Sequence, residues 1–424
     1  MTTTPTLARK IGLPGALVIG LSSMLGAGVY AVFGTAAATA GSALILSLGI
    51  AAVVAYCNAT STAQLAAAHP SSGGVYVYGR AELGPWAGFT AGWMFVVGKT
   101  ASCAAMALTF ATYAVPADWQ RPAAVAAIIL LTVVNYRGIT RTTRMATVIL
   151  GITLTALVMI VGAGLSTGLP YRTDLSDWMP TANATGWYGT AQAAGLLFFA
   201  FAGYARIATL GDEVRNPART IPRAIHTALL FVVILYLVIA VTSIGTLGID
   251  QLAHSPRPLA AVAEAGGAGS LVLVVQIGGA TASLGALLAL ITGISRTTYA
   301  MAKEHDLPTW FAAVHPRFAV PHHAELALGG LLIVAVLTTD LRDAIGFSSF
   351  GVLLYYLIAN VSALKQDVTA RRYPRALALP GATGCAGLMF TLPLTSILTG
   401  MAVLAVGLGL RLVMLHRGQA AEKP

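Results

Sequence analysis

Residues 22–30 read SSMLGAGVY, two hydroxyls and then glycines at 26 and 28, inside the first long apolar stretch of the chain. Each glycine inside a helix costs about 1 kcal/mol against alanine. A segment that only had to cross a bilayer would gain nothing from them. If the helix unwinds around 23–27, its first half releases carbonyls and its second half releases N–H groups. Those N–H groups sit at the positive end of a helix and suit a carboxylate, while the carbonyls suit an ammonium. One interrupted helix can therefore hold both ends of a zwitterion. Exposed backbone at membrane depth is tolerated only where it lines a cavity. A second weak point lies in FFAFAGYARIATLGDE (198–213), with Gly203 in mid-stretch, Tyr204 beside it and Arg206 just beyond. The competing reading of Gly26, Gly28 and Gly203 is close packing of helices at small residues.

Two cations fall within apolar stretches: Lys99, in GWMFVVGKTASCAAM, and Arg206. A Lys or Arg at the centre of an isolated membrane helix costs about 2.5–3.5 kcal/mol, so both are expected to face protein or water. Arg206 either snorkels to the nearby helix end or pairs with Asp212 or Glu213. Lys99 either binds backbone carbonyls as a fixed internal cation, in place of a coupling ion, or titrates and meets substrate. Ser22, Thr281 and Ser283 are weaker candidates to line the cavity, because hydroxyls in helices often bond back to their own turn.

The elements that must position these groups follow from composition. The chain has 424 residues, 57% hydrophobic and only 9% charged, with a mean hydropathy of +0.78. A soluble domain carries about 25% charged residues. Apolar runs of about 20 residues recur from end to end, the length that spans a bilayer as helix. Twelve helices are expected, at 12–36, 41–67, 83–114, 122–137, 145–166, 187–211, 223–246, 268–298, 324–339, 344–364, 376–393 and 396–413. With the N-terminus cytoplasmic, nineteen Lys and Arg fall inside and four outside. This positive-inside bias accounts for the net charge of +10 without a nucleic-acid partner and places both termini in the cytoplasm. Five helices separate the starts of the units holding the two weak points. That spacing predicts an inverted five-helix repeat, 12–166 and 187–364, followed by two additional helices over 376–413. The whole, 1–424, reads as a single all-α transmembrane domain with helices 1 and 6 broken.

Four stretches, in order along the chain, resemble the amino acid–polyamine–organocation (APC) superfamily of permeases. GAGVY (26–30) is similar to its Gly-x-Gly-[Ile/Val]-[Phe/Tyr] signature, and PSSGGVYVY (70–78) to its Pro-x-x-Gly-Gly-x-Tyr loop. FFAFAGY with DEVRNPARTIPRAI resembles its helix 6 signature, and SRTTYAMAKEHDLP (295–308) its helix 8–9 junction. The resemblance implies a leucine-transporter-like fold and alternating-access transport of an amino acid, with helices 1, 3, 6, 8 and 10 around the site. Carried over by motif position, Gly26, Ala27 and Gly28 would offer N–H groups to the α-carboxylate, and Ser23 and Met24 carbonyls to the α-ammonium. Phe199 and Ala202 would add carbonyls beside the break at Gly203 and Tyr204, with Phe199 also a lid over the substrate. Some proton-coupled members carry a helix 5 lysine; its position falls here near Thr153, and that span carries none. Lys99 would then do the work of the missing lysine.

No Asp or Glu falls near mid-membrane in this assignment. A cationic side chain would find no counter-charge, so a neutral amino acid is expected, with a cationic amino acid or polyamine exchanger as the further alternative. No phosphate-binding loop, nucleophile elbow or zinc-binding helix appears, so neither enzyme chemistry nor a cofactor or metal is expected. The expected protein is a secondary transporter in the plasma membrane, coupled to protons or a counter-substrate. A sensor or partner-binding subunit of the same fold, without flux, is the alternative from another class. The sequence does not fix the oligomeric state.

Overall fold

The computed structural model describes residues 11–70, 73–137, 142–170, 184–211, 213–267 and 269–421; Ser71, Ser72 and Asp212, named in the motifs above, lie outside them. The described residues are helical, with one isolated parallel bridge, Ile11 to Val214, and no strand. The first apolar stretch forms two helices, α1 (Leu13–Met24) and α2 (Ala27–Ala40), followed by α3 (Leu44–Ala68), α4 (Val75–Leu83), α5 (Pro85–Ala114), α6 (Gln120–Tyr136) and α7 (Thr142–Ser166). The second series runs α8 (Ala184–Phe201), α9 (Ala205–Ala208), α10 (Pro217–His254), α11 (Pro258–Ala265), α12 (Gly269–Lys303), α13 (His322–Thr338) and α14 (Leu341–Lys365). Helices α15 (Arg375–Thr391) and α16 (Leu394–Ala421) close the chain.

Nine helical stretches among the described residues are long and apolar enough to cross a bilayer, the first of them, Leu13–Ala68, holding α1 to α3; α13 is a shorter apolar helix. Their outer faces carry exposed large apolar residues such as Leu130, Val158, Leu230 and Leu398. Their inner faces pack small and aromatic residues. An apolar exterior around a packed core is what lipid as solvent requires.

Two short helices were not legible as helices in the sequence. In α4 the buried face is Val75, Tyr76, Tyr78 and Gly79, and in α11 it is Leu259, Ala260, Val262 and Ala263. Gly84, at φ +100°, turns the chain between α4 and α5 in a single residue, a conformation that favours glycine. The start of α10 also differs from the expected one. Pro217 opens the helix and Pro222 lies inside it. A proline inside a helix leaves the carbonyl four residues earlier without its donor; here that is Ala218 O, which accepts from Arg372 Nη1 at 2.5 Å.

At the end of the bundle that carries α4, Arg411 of α16 lies buried between the rings of Trp86 and Phe89, 4.8 Å from each centroid. It pairs with Asp306 at 3.1 Å, and Asp306 also takes bonds from Arg80 and Tyr76, each at 2.8 Å. Burial raises the Asp306 carboxyl above the usual carboxylate range, against the pull of its hydrogen bond from Tyr76 and of the two arginines. This network fixes α4, the segment after α12 and α16 to one another.

Candidate functional site

The first helix is interrupted where the glycines predicted it. Helix α1 ends at Met24; Leu25 (φ −87°, ψ 34°) and Gly26 (φ −85°, ψ −142°) leave helical geometry, and α2 starts at Ala27. The N–H groups of the first turn of α2 have no acceptor one turn earlier on their own helix. The Met24 carbonyl, at the other lip of the break, accepts from Tyr236 Oη of α10 at 2.7 Å, and the same hydroxyl reaches Ala200 O at 3.2 Å.

The sixth apolar segment is interrupted differently. Between α8 and α9 the residues Ala202–Tyr204 form one turn of 3₁₀ helix whose flanking dihedrals stay in the right-handed region. The chain is tightened here, not unwound. A 3₁₀ turn shifts the hydrogen-bond register and releases carbonyls from the i+4 pattern. The Ala202 carbonyl accepts from Lys99 Nζ at 3.2 Å and faces Tyr356 Oη at 3.5 Å. Lys99 is 4% exposed.

The two interruptions touch. A Cβ built on Gly203 would stand 2.5 Å from Ser23 O and 2.6 Å from Met24 N, and one on Gly28 would stand 2.8 Å from the Ala200 backbone. Close packing and an interrupted helix, posed above as alternatives, thus occur together: the glycines let the lips of one break approach the turn of the other.

A cavity of about 20 Å³ lies at this junction, lined by Ser23, Phe199, Ala202, Gly203, Lys99 and Arg206. That is room for about one water molecule. Met24, Gly26, Ala27 and Gly28 lie beside it without lining it: the start of α2 is packed against α8 and α12, with Ala286 Cβ 2.5 Å from a Cβ built on Gly26. Tyr204 points elsewhere and packs on Tyr356, ring centroids 5.1 Å apart. Of the weaker candidates, Ser22 bonds to Ala146 O of α7 at 3.1 Å, and neither Thr281 nor Ser283 lines the cavity.

Lining residues that sequence reasoning passed over are Phe95, Ser102 and Met106 on α5, Ala205 and Thr209 in and after α9, and Leu290 and Gly293 on α12. The signal for the first three was available. Positions 95, 99, 102 and 106 repeat at helical spacing around Lys99, so the lysine marks a whole face. Ser102 Oγ also meets Ser348 Oγ of α14 at 2.6 Å, tying that face to α14.

Arg206 does not pair with Glu213, whose carboxylate is held by Arg296 at 2.5 Å. Its Nη1 donates to Thr209 Oγ1 at 3.0 Å, three residues on. The charged groups lining the cavity are the two cations, and no carboxylate among the described residues lines it.

Comparison with known proteins matches residues 11–412 to the amino acid permease family model. An uncharacterized transporter of Mycobacterium tuberculosis is 52% identical over 421 residues, 98% of this chain and 94% of the relative. A branched-chain amino acid permease of Bacillus subtilis is 25% identical, covering 90% of this chain and 86% of its own length. A cationic amino acid transporter of Arabidopsis thaliana, number 7, chloroplastic, is 26% identical over 83% of this chain and 64% of the relative.

Proposed function

The chain belongs to the amino acid permease family, and on that premise we propose that it moves a neutral amino acid across the plasma membrane by alternating access. It is a multi-pass membrane transporter and not an enzyme. The observation that carries the proposal is the break at Leu25–Gly26, set directly against the tightened turn at Ala202–Tyr204. The N–H groups of Gly26, Ala27 and Gly28 receive the substrate carboxylate, and the Ser23 and Phe199 carbonyls receive its ammonium. Phe199 covers the cavity. Two lining cations and no lining carboxylate support a neutral side chain over a cationic one. The cavity holds about a water molecule, so α1 and α2 separate from α8 and α12 for an amino acid to enter, which is the movement alternating access needs.

The proposed topology has twelve spans, α1 with α2 and α8 with α9 each counting as one. They form an inverted repeat over 12–166 and 187–364, with 376–413 added. Both termini are cytoplasmic, so the end carrying α4 faces the cytoplasm. Lys99, bound to the Ala202 carbonyl, stands where a coupling cation would otherwise bridge the two interrupted helices, and transport is coupled to protons or to a counter-substrate.

The test is a thermal-shift screen of the purified protein against the twenty amino acids, since a ligand of the native state raises its apparent stability. The best hit then goes into liposome exchange. A neutral amino acid that shifts and exchanges is the expected result. No shift and no exchange with any amino acid would overturn the proposal. A shift without exchange would assign the protein to the flux-free sensor class.

A further inference from the structure

A second cavity shares a wall with the first. It measures about 70 Å³ and lies between α1, α7, α9 and α12, with Ser22, Arg206, Glu213, Thr292 and Arg296 in its lining. Arg206 lines both cavities. Beyond the bond to Thr209 noted above, Arg206 Nε is buried and has no hydrogen-bond partner among the described residues. Glu213 and Arg296, which also line this cavity, form their ion pair. The lining of this chamber thus includes a guanidinium with a donor unused among the described residues and a carboxylate.

A guanidinium offers five donors in a rigid fork that matches a carboxylate, so one filled donor leaves capacity for a bound anion. A buried polar group left unpaired is costly. Substrate leaving the break toward the α4 end reaches Arg206 before any other charged group of the second chamber, because Arg206 alone belongs to both linings. Glu213, exchanging its bond to Arg296 for one to an ammonium, completes a zwitterion partner set of the opposite construction: side-chain charges here, backbone dipoles at the break.

We propose that the second cavity is a transit site for the amino acid, in which Arg206 takes over the α-carboxylate from the start of α2 and Glu213 takes the α-ammonium. This rests on the proposed function and adds to it a binding site and a hand-over residue. The site recognises the α-amino and α-carboxyl groups, not the side chain, so it serves every substrate the break accepts.

The test compares wild type, Arg206→Gln and Arg206→Lys in liposomes, with a uniformly labelled mixture of the twenty amino acids as the probe. Arg206→Gln is expected to lower the maximal exchange rate about tenfold, the effect of one lost charged hydrogen bond. The half-saturating concentration should change less than about threefold, because the break still sets it. Arg206→Lys should recover most of the rate. A bracing role alone would lower the melting temperature and leave that split unmoved. A second measurement needs no variant: phenylglyoxal labelling of Arg206 in the wild type, read by mass spectrometry, should slow when the mixture is present. Equal exchange in Arg206→Gln, or equal labelling with and without amino acids, overturns the transit site. If wild type exchanges nothing, the proposed function has failed as well; exchange in wild type with no effect at Arg206 rejects the transit site alone.

Discussion

The two interrupted segments do opposite things with the same difficulty. At Leu25–Gly26 the backbone leaves helical geometry for two residues, and the first N–H groups of α2 are left without acceptors on their own helix. At Ala202–Tyr204 the backbone makes one 3₁₀ turn whose flanking residues stay in the right-handed region, and the Ala202 carbonyl is taken by the Lys99 ammonium. One interruption is open and the other is filled. The open one presents donors, which suit an anion; the filled one already has its cation. On the proposed reading the substrate carboxylate goes to the first segment, while the second already carries the Lys99 ammonium. Tyr236 joins them, one hydroxyl reaching a carbonyl on each.

The comparison breaks most severely at Gly26. In Gly26→Val a branched side chain would fall on Ala286 Cβ, forcing α2 away from α12. Overpacking of this kind costs about 1–3 kcal/mol of stability. The amino acid-induced thermal shift should vanish with it; a folded variant that still shifts would show that the donors of α2 are not the carboxylate site. Lys99→Met probes the filled interruption. Of the side-chain donors to the Ala202 carbonyl among the described residues, the distant Tyr356 remains, and a lost charged hydrogen bond is worth about 1.5–3 kcal/mol. Exchange in liposomes should fall about tenfold. An unchanged rate would reduce Lys99 to a packing residue. Tyr236→Phe sharpens the comparison most gently. It removes the shared hydroxyl at about 1 kcal/mol, so a small drop in melting temperature and a twofold to fivefold rise, roughly, in half-saturating concentration are expected. A drop larger than that of Lys99→Met would mean that the bridge, not the cation, holds the two segments together.

Much of this was written locally. GAGVY announced the first break through the cost of its glycines, and the break falls within two residues of where they put it. Apolar length placed the long helices because lipid leaves the backbone no alternative. Lys99 stood out because a lone ammonium in an apolar run must be solvated by something. What solvates it was not legible, since Ala202 is 103 residues away and its carbonyl is exposed by a turn that the letters AGY do not distinguish from a wider opening. Tyr236 and Tyr356 were missed for the same reason: a hydroxyl that caps a distant carbonyl leaves no periodic trace. The helices α4 and α11 escaped because eight or nine residues are too few for apolar length to signal them, and their burial is supplied by the neighbours they pack on.

The central claim is that the peptide N–H groups opening α2 hold the substrate carboxylate. A cryo-electron microscopy structure of the full chain with the best amino acid from the thermal screen tests it most directly. The account predicts the carboxylate at hydrogen-bond distance, about 2.7–3.2 Å, from the N–H groups of Gly26, Ala27 and Gly28, with Lys99 still on the Ala202 carbonyl. An amino acid bound elsewhere, beside an α1 that runs unbroken into α2, would contradict it.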